Sequence, residues 1–446
     1  MPDDQQGLFP ELQPARNGNG RKGQRLFIPK LLTDASRSTW LNDRIDEAHA
    51  IFVKWADLET SGKLASKSEK TLHGEFFADV LKGALGYTQF SDGLENWDLE
   101  AELAVAGGHA DGAIGLFSAA DRPPPRVLLE LKGPTCNIDR DRSNGRTPVQ
   151  QVWDYLNDTP ACPWGIVCNY VSFRLYHRTK TTRTYEHFTL QELREKSKFR
   201  EFYCLFERGG FLPALAGQKP RCDDLLERSE HQQQQVGGKL YNFYHDQRIG
   251  LIHCLRRPPH KLPLDQAIHA AQKLLDRIIF IAFCEDRKLL PSGIIEYAWD
   301  IKGITDYENP RWRSFLGLFK RVDKGDSRLL ITGYNGELFK HDLLLDKLEL
   351  DDEWTNVFKE IADYDFDTEV NVEVLGHLFE QSITDLELLR ENPDAEPAQV
   401  TQRRPGRRKR EGVYYTPPFI TAYIVRQAIG PCLQERYAAL ATQLKL

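Results

Sequence analysis

The sequence lacks the features that mark membrane, secreted and metal-ribbon proteins. No apolar run among its 446 residues is long enough to span a bilayer, and the N-terminus has no signal-peptide segment. Its eight cysteines are scattered, and none forms a Cys-x-x-Cys pair. That absence argues against a zinc ribbon and a thioredoxin-like site. The sequence therefore predicts a cytoplasmic protein with reduced thiols and no membrane partner.

The charge balance gives no overall attraction for nucleic acid. There are 59 Lys and Arg residues against 65 Asp and Glu residues, for a formal net charge of −6. An acidic protein can still bind nucleic acid through a groove that is basic locally. Any function of that kind must therefore be argued from individual residues and their neighbours.

The composition changes along the chain and predicts several segments. Residues 1–24 are polar and rich in glycine, which favours a disordered lead-in. Residues 25–205 mix helical and strand patterns, whereas 206–391 have mainly helical spacing. Residues 392–411 contain a basic cluster and are typical of a linker, and 412–446 begin another element. We therefore expect an α/β domain followed by an all-α domain.

The α/β region has the pattern of a mixed sheet flanked by helices. Apolar residues recur at helical spacing from Leu72 to Ala84, and Gly107 and Gly108 indicate a hairpin turn. Val127 begins a short apolar run that is typical of a buried strand. The pattern predicts strands at 98–105, 109–118, 127–129 and twice within 164–178, and a further helix at 147–157.

Three charged residues stand out in this region: Asp111, Glu130 and Lys132. Glu130 and Lys132 are two positions apart on a predicted strand, so their side chains share one face. A buried strand that carries a carboxylate and an ammonium group needs a reason, because buried charges are costly. Two carboxylates that bind Mg²⁺, with a lysine beside the phosphate, are suited to phosphodiester hydrolysis.

Three neighbouring residues strengthen the pattern. Glu75 lies on the preceding helix, where it can face the sheet as an additional ligand or remain a solvated charge. Gln151 and Tyr155 are four positions apart on the following helix and therefore point the same way. They are candidates for the site, and a simple packing pair is the alternative.

The predicted helices and strands of the segment 70–178 follow the order of the PD-(D/E)XK nuclease core. The segment therefore resembles that fold, in its QxxxY variety. That resemblance implies that Asp111 and Glu130 bind Mg²⁺ and that Lys132 is the catalytic lysine. It also implies that Glu75 is an accessory metal ligand.

The same resemblance implies that Gln151 and Tyr155 orient the site or contact the DNA backbone. His109 is expected to be a solvent-exposed histidine at a strand edge. Basic residues around the segment are candidates for phosphate contacts, namely Lys82, Arg140, Arg142 and Arg146.

Later segments are similar to other parts of type IIG restriction–modification enzymes. The helical pattern around 274–287 resembles their helical connector. The sequence Gly-Val-Tyr-Tyr-Thr-Pro-Pro at 412–418 resembles the motif that opens the adenine-N6 DNA methyltransferase domain. By that resemblance Tyr414, Tyr415, Thr416 and Pro417 line a pocket for S-adenosylmethionine. The Gly-rich loop and the Asn-Pro-Pro-Tyr motif of that family are absent. We therefore expect S-adenosylmethionine to bind only if another part completes the domain.

The sequence thus favours a Mg²⁺-dependent DNA endonuclease that is part of a type IIG-like restriction–modification system. Its expected partners are double-stranded DNA and a separate chain with the methyltransferase core and target recognition domain. Two alternatives stay open. One is a non-catalytic module for DNA binding or assembly, and the other is the N-terminal half of a split adenine-N6 DNA methyltransferase.

Overall fold

The computed structural model describes residues 24–38, 42–105, 108–120, 123–214, 217–301, 308–334, 336–370 and 372–400, with 428 and 436. These residues divide into a sheet unit (24–231) and a helical unit (232–400). The sequence-based boundary at 205/206 lies earlier, and what each unit does stays a prediction. Within the described ranges, no helix is both long and apolar enough to cross a membrane.

The sheet unit is built on six strands that lie side by side in sequence order. They are β1 (Asn96–Val105), β2 (Gly108–Ser118), β3 (Val127–Leu131), β4 (Trp164–Cys168), β5 (Ser172–His177) and β6 (Tyr185–Thr189). Neighbouring strands are antiparallel, except that β3 and β4 are parallel. The predicted mixed sheet flanked by helices is therefore confirmed.

The helices of the sheet unit lie before, within and after the sheet. They are α1 (Pro29–Ser36), α2 (Asn42–Thr60), α3 (Glu69–Glu75), α4 (Pro148–Asp158), α5 (Lys196–Phe206) and α6 (Arg208–Phe211). A π-helical segment, Phe76–Ala84, continues α3, and single 3₁₀ turns occur at Phe90–Asp92 and Glu192–Arg194. Because β3 and β4 are parallel, the chain needs a crossover between them, and α4 provides it.

Side chains alternate between the two faces of β3, which is buried along its whole length. Leu129 and Leu131 belong to the large core that also contains α2 and the π-helical segment. Leu128 packs on the opposite face with Tyr155 of α4. Since alternate residues of a strand share a face, Glu130 lies on the same side as Leu128, towards α4.

Two glycines allow helices to pack closely on the two faces of the sheet, one on each face. A Cβ at Gly165 of β4 would lie 3.0 Å from side-chain atoms of both Val152 and Leu156 in α4. A Cβ at Gly112 of β2 would lie 3.0 Å from the ring of Phe77. Glycine at these positions brings the helices to the sheet without displacing the strands.

The helical unit contains the greater part of one long helix and six further helices among its described residues. They are α7 (Arg221–Arg256), which begins in the sheet unit, and α8 (Leu264–Asp286), α9 (Ile294–Trp299), α10 (Pro310–Lys324), α11 (Trp354–Ala362), α12 (Val372–Glu391) and α13 (Pro397–Val400). The helical pattern predicted around 274–287 corresponds to the second half of α8.

The mainly helical spacing predicted for 206–391 does not extend through 325–353, where the described residues have only a 3₁₀ turn at Leu345–Lys347. Buried Arg277 explains how part of this segment is held without a helix. Its guanidinium donates to the carbonyl oxygens of Leu338 at 2.8 Å and Lys340 at 3.3 Å. Backbone carbonyl groups that have no helical partner in this segment are satisfied by a side chain instead.

Candidate active site

The pairing of β2 with β3 brings the predicted carboxylates together. Gly112 lies opposite Leu129 in the antiparallel register. Continued by one position, this register places Asp111 opposite Glu130, and directly opposite residues of an antiparallel pair project from the same face. Nineteen positions of chain separate the two residues, but the hairpin geometry makes them neighbours.

Asp111, Glu130 and Lys132 form one cluster. Lys132 Nζ lies 2.5 Å from Glu130 Oε1 and 3.7 Å from Asp111 Oδ2. The Leu131 amide donates to Asp111 Oδ2 at 2.6 Å, which fixes that carboxylate against β3. The structure therefore brings together the three residues on which the sequence prediction depends. We call them the carboxylate–lysine cluster.

Glu130 is the buried member of the carboxylate–lysine cluster. Its side chain is 1% exposed, and Oε2 has no hydrogen-bond partner among the described residues. Burial, followed by repulsion from the Asp111 carboxylate, raises the pKa of Glu130 to about 7. An oxygen of this kind is suited to a cation or a proton, since an unpaired buried acceptor is costly.

Lys132 is held from two sides. Its amide donates to the Cys168 carbonyl oxygen at 2.9 Å, and Nζ donates to the Leu131 carbonyl oxygen at 3.0 Å. Burial alone would lower the pKa of Lys132, but the carboxylates of Glu130 and Asp111 raise it. The lysine therefore stays charged at neutral pH and can donate to an anion.

The helix α4 places Gln151 and Tyr155 close to the cluster. The helix begins with a reciprocal cap: Gln150 N donates to Thr147 Oγ1, and Thr147 N donates to Gln150 Oε1. Gln151 is buried, and its side-chain Nε2 donates to the Arg146 carbonyl oxygen at 3.3 Å. The Tyr155 hydroxyl donates to the His109 carbonyl oxygen at 3.1 Å.

Both side chains thus fix the backbone around the cluster and do not bond to its carboxylates. Burial, then the nearby Glu130 and Asp111, raise the pKa of the Tyr155 hydroxyl. The tyrosine therefore remains neutral and able to donate. Whether Gln151 and Tyr155 act in a reaction stays a prediction.

Glu75 occupies a different position from the one expected for an accessory ligand. It is exposed at the end of α3, and no hydrogen bond or ion pair joins it to the cluster among the described residues. Glu69 and His73 of the same helix do reach this region. Glu69 Oε2 accepts from the Gly133 amide at 2.8 Å, and His73 Nε2 lies 3.2 Å from the Asp111 carbonyl oxygen.

Helical geometry explains the difference between the two glutamates. Glu69 and His73 are four positions apart and share one side of α3. Glu75 follows Glu69 by six positions, which turns it about 120° away at 3.6 residues per turn. Sequence reasoning missed Glu69 because its contact depends on where Gly133 lies, 64 positions along the chain.

The other predicted basic residues are distributed around the unit. His109 is exposed, as expected. Lys82 forms an ion pair with Asp92 at 2.5 Å, and Arg146 forms one with Asp154 at 3.0 Å. The remaining two lie exposed in the segment between β3 and α4, namely Arg140 and Arg142.

The residues predicted to contact S-adenosylmethionine, at 414–417, lie outside the described residues. So do the basic cluster at 403–410 and residues 1–23 of the lead-in.

The donor set of the cluster fits a hard divalent cation through two ligands. Among the described residues, no group of three or more His, Cys, Asp or Glu side chains is arranged to hold a metal. Asp111 and Glu130 nevertheless offer two carboxylates on one face, and Glu130 Oε2 is unpartnered. Mg²⁺ is commonly held by one or two carboxylates, with water and substrate phosphate as its other ligands.

Comparisons with known proteins give a relative of this chain in sequence and a neighbour in structure. No family model matches. The chain is 25% identical over 222 residues to a protein of Methanocaldococcus jannaschii provisionally described as a type II restriction enzyme and methyltransferase. That match covers 44% of this chain and 17% of the relative.

One structural neighbour is the cryo-electron-microscopy structure of a DrdV–DNA complex. Its alignment has a TM-score of 0.24 and 11% identity, and covers 78% of this chain and 29% of that chain. The chain thus spans less than a third of the length of either protein.

Proposed function

We propose that this chain is the Mg²⁺-dependent DNA endonuclease part of a restriction–modification system, with the carboxylate–lysine cluster as its active site. The observation that carries the proposal is Glu130. A buried carboxylate with one oxygen bound to Lys132 and the other unpartnered, beside Asp111, has a clear use if it binds a metal. As a purely structural ion pair it leaves an acceptor unsatisfied, at a cost of about 1–3 kcal/mol.

In this proposal, Asp111 and Glu130 hold the cation. A bound Mg²⁺ supplies a polarised phosphoryl oxygen and a water of lowered pKa. Water attacks phosphorus and releases a proton to the solvent as its O–P bond forms, one P–O ester bond breaks, and the leaving oxygen takes up a proton from the solvent. The Lys132 ammonium group donates to a phosphoryl oxygen as negative charge develops there. The Leu131 amide keeps the Asp111 carboxylate in place throughout.

Two further observations support DNA as the substrate. The relative from Methanocaldococcus jannaschii is described as a restriction enzyme and methyltransferase. Arg140 and Arg142 are exposed in the segment that follows β3, and no ion pair joins either to a carboxylate among the described residues. Uncompensated arginines at the same end of the sheet as Glu130 and Lys132 are suited to DNA phosphates.

The test is cleavage of supercoiled plasmid DNA by the wild type and by Glu130→Gln, a change that keeps the shape of the side chain and removes its charge. We expect nicking or cutting by the wild type in Mg²⁺, loss in chelator and loss in Glu130→Gln. Glu75→Gln is the matched control, because it makes the same chemical change at an exposed position and is expected to leave cleavage unchanged.

Two results would contradict the proposal. One is cleavage by Glu130→Gln at the wild-type rate. The other is a folded wild type that does not cut in Mg²⁺ or Mn²⁺, which favours the non-catalytic DNA-binding or assembly module.

A further inference from the structure

The turn that follows β3 is held by Glu69, the first residue of α3. Its Oε2 accepts a hydrogen bond of 2.8 Å from the amide of Gly133. Gly133 comes directly after Lys132, so this bond fixes the chain where it leaves the carboxylate–lysine cluster. A Cβ at Gly133 would have no atom within 4 Å, so the turn has open space on that side.

The position of Glu69 is itself well defined by its surroundings. Ser68 caps α3, because its hydroxyl accepts from the Thr71 amide at 3.3 Å. The Tyr170 hydroxyl donates to the Glu69 carbonyl oxygen at 3.3 Å, and Tyr170 is fully buried after β4. The first turn of α3 is therefore attached to the chain that follows β4 as well as to the chain that follows β3.

One turn further along α3, His73 Nε2 lies 3.2 Å from the Asp111 carbonyl oxygen. Its ring also stacks on Phe77, with centroids 4.4 Å apart. The same side of this helix thus contacts the turn after β3, through Glu69, and β2, through His73. The helix links the two halves of the site.

We propose that Glu69 is a positioning residue for the carboxylate–lysine cluster, and that it acts by accepting the Gly133 N–H. Its effect on cleavage rests on the nuclease function proposed above, whereas its effect on the turn does not. The requirement at this position is an acceptor oxygen. A glutamine provides one and an alanine does not, so the two substitutions separate the hydrogen bond from the charge.

The experiment compares three variants of the full chain, Glu69→Gln, Glu69→Ala and Glu75→Ala, by amide hydrogen exchange and by plasmid cleavage. We expect exchange at Gly133 to be about tenfold faster in Glu69→Ala, because a bond to a charged acceptor is lost, and close to wild type in the other two. We expect kcat for cleavage to fall about tenfold to a hundredfold in Glu69→Ala with KM unchanged, because a small displacement of catalytic groups is costly. Glu69→Gln should restore most of the rate.

Three results would overturn the inference. The first is unchanged exchange at Gly133 in Glu69→Ala. The second is a Glu69→Gln variant as impaired as Glu69→Ala, which would assign the role to the charge. The third is a lower unfolding temperature in Glu69→Ala with normal kcat for the folded protein, which would indicate a purely structural bond. A wild type that does not cleave DNA would refute the nuclease proposal, while the exchange measurement still decides whether Glu69 holds the turn.

Discussion

At the scale of single residues, Glu130 is the side chain on which the proposed metal site most depends. It is a charged side chain placed inside a strand that is otherwise apolar, and only one of its two oxygens is paired. Its neighbour Asp111 adds repulsion, whereas Lys132 compensates in part. Arrangements in which burial and a like charge raise the pKa of a carboxylate are common at catalytic and metal sites.

The pKa of Glu130 predicts how metal binding depends on pH. Burial and the Asp111 carboxylate raise this pKa to about 7, so the side chain binds a proton below that pH and is a carboxylate above it. A proton competes with the metal, and the affinity for Mn²⁺ is therefore expected to fall by about tenfold per pH unit below 7. Calorimetric titration between pH 5.5 and 8 measures this slope. Glu75→Gln should show the same slope, and an affinity independent of pH would contradict the assignment.

At the scale of elements, the position of α4 depends on Gly165. Ala at this position places Cβ 3.0 Å from both Val152 and Leu156, so the helix must move away from β4. We expect Gly165→Ala to lower the stability of the sheet unit by about 1–3 kcal/mol, as overpacking does. The midpoint of thermal unfolding measures the change.

Gly74→Ala is the matched control for that substitution. Gly74 lies within α3, and a Cβ there has no atom within 4 Å. Alanine is favoured over glycine inside helices, so this variant should gain about 0.5–1 kcal/mol. Equal effects of the two substitutions would contradict the packing that we describe between α4 and β4.

The segment between β3 and α4 provides the second prediction at this scale. It is braced by Asp139, which receives two hydrogen bonds from Arg174 at 2.6 and 2.7 Å, while Arg140 and Arg142 point into solvent. We expect the double variant Arg140→Ala/Arg142→Ala to bind DNA more weakly and to reduce the salt slope by about 2, or about 1 per phosphate contact. Fluorescence anisotropy in Ca²⁺ at several salt concentrations measures both quantities.

Arg183 offers a control for these arginines. It is exposed between β5 and β6. Because β4 is parallel to β3 and β5 runs antiparallel to β4, this loop lies at the end of the sheet where β3 begins, opposite to the end that carries Lys132. Arg183→Ala is expected to leave the affinity and the salt slope unchanged. An equal loss in both variants would indicate unspecific attraction and contradict a DNA contact beside the site.

The sequence predicted the elements whose signals are local. The apolar run that starts at Val127 predicted β3, and the pattern at 147–157 predicted α4, because a buried strand and a short helix each depend on a few adjacent residues. The sequence could not show which of Glu69 and Glu75 faces the carboxylate–lysine cluster. That choice depends on the contact of α3 with Gly133, which only the folded chain defines.

At the scale of the whole molecule, the helical unit has its own buried polar centre. Asp385 accepts hydrogen bonds from Tyr241 at 2.7 Å and from Arg248 at 3.2 Å, and lies 2.9 Å from His245 Nδ1. Arg248 is fully buried. Since each unit has a separate core, a defect in this centre should be confined to the helical unit.

The corresponding prediction is that Asp385→Asn destabilises the helical unit by about 3–5 kcal/mol, because it leaves the buried Arg248 charge without its carboxylate partner. Hydrogen exchange should become faster in 232–400 and stay unchanged in 24–231. Asp394→Asn is the control: its ion pair with Arg256 is exposed, and such pairs contribute about 0–1 kcal/mol. Equal acceleration in both units would contradict separate cores.

The central claim is that the Asp111–Glu130–Lys132 cluster hydrolyses DNA with a bound divalent cation. Its most direct test is a single-turnover measurement, in which excess protein is bound to supercoiled plasmid and Mg²⁺ is added to start the reaction. We predict first-order nicking by the wild type and none by Asp111→Asn, although both bind the plasmid equally. Nicking by Asp111→Asn at the wild-type rate, or nicking that persists in chelator, would contradict the claim.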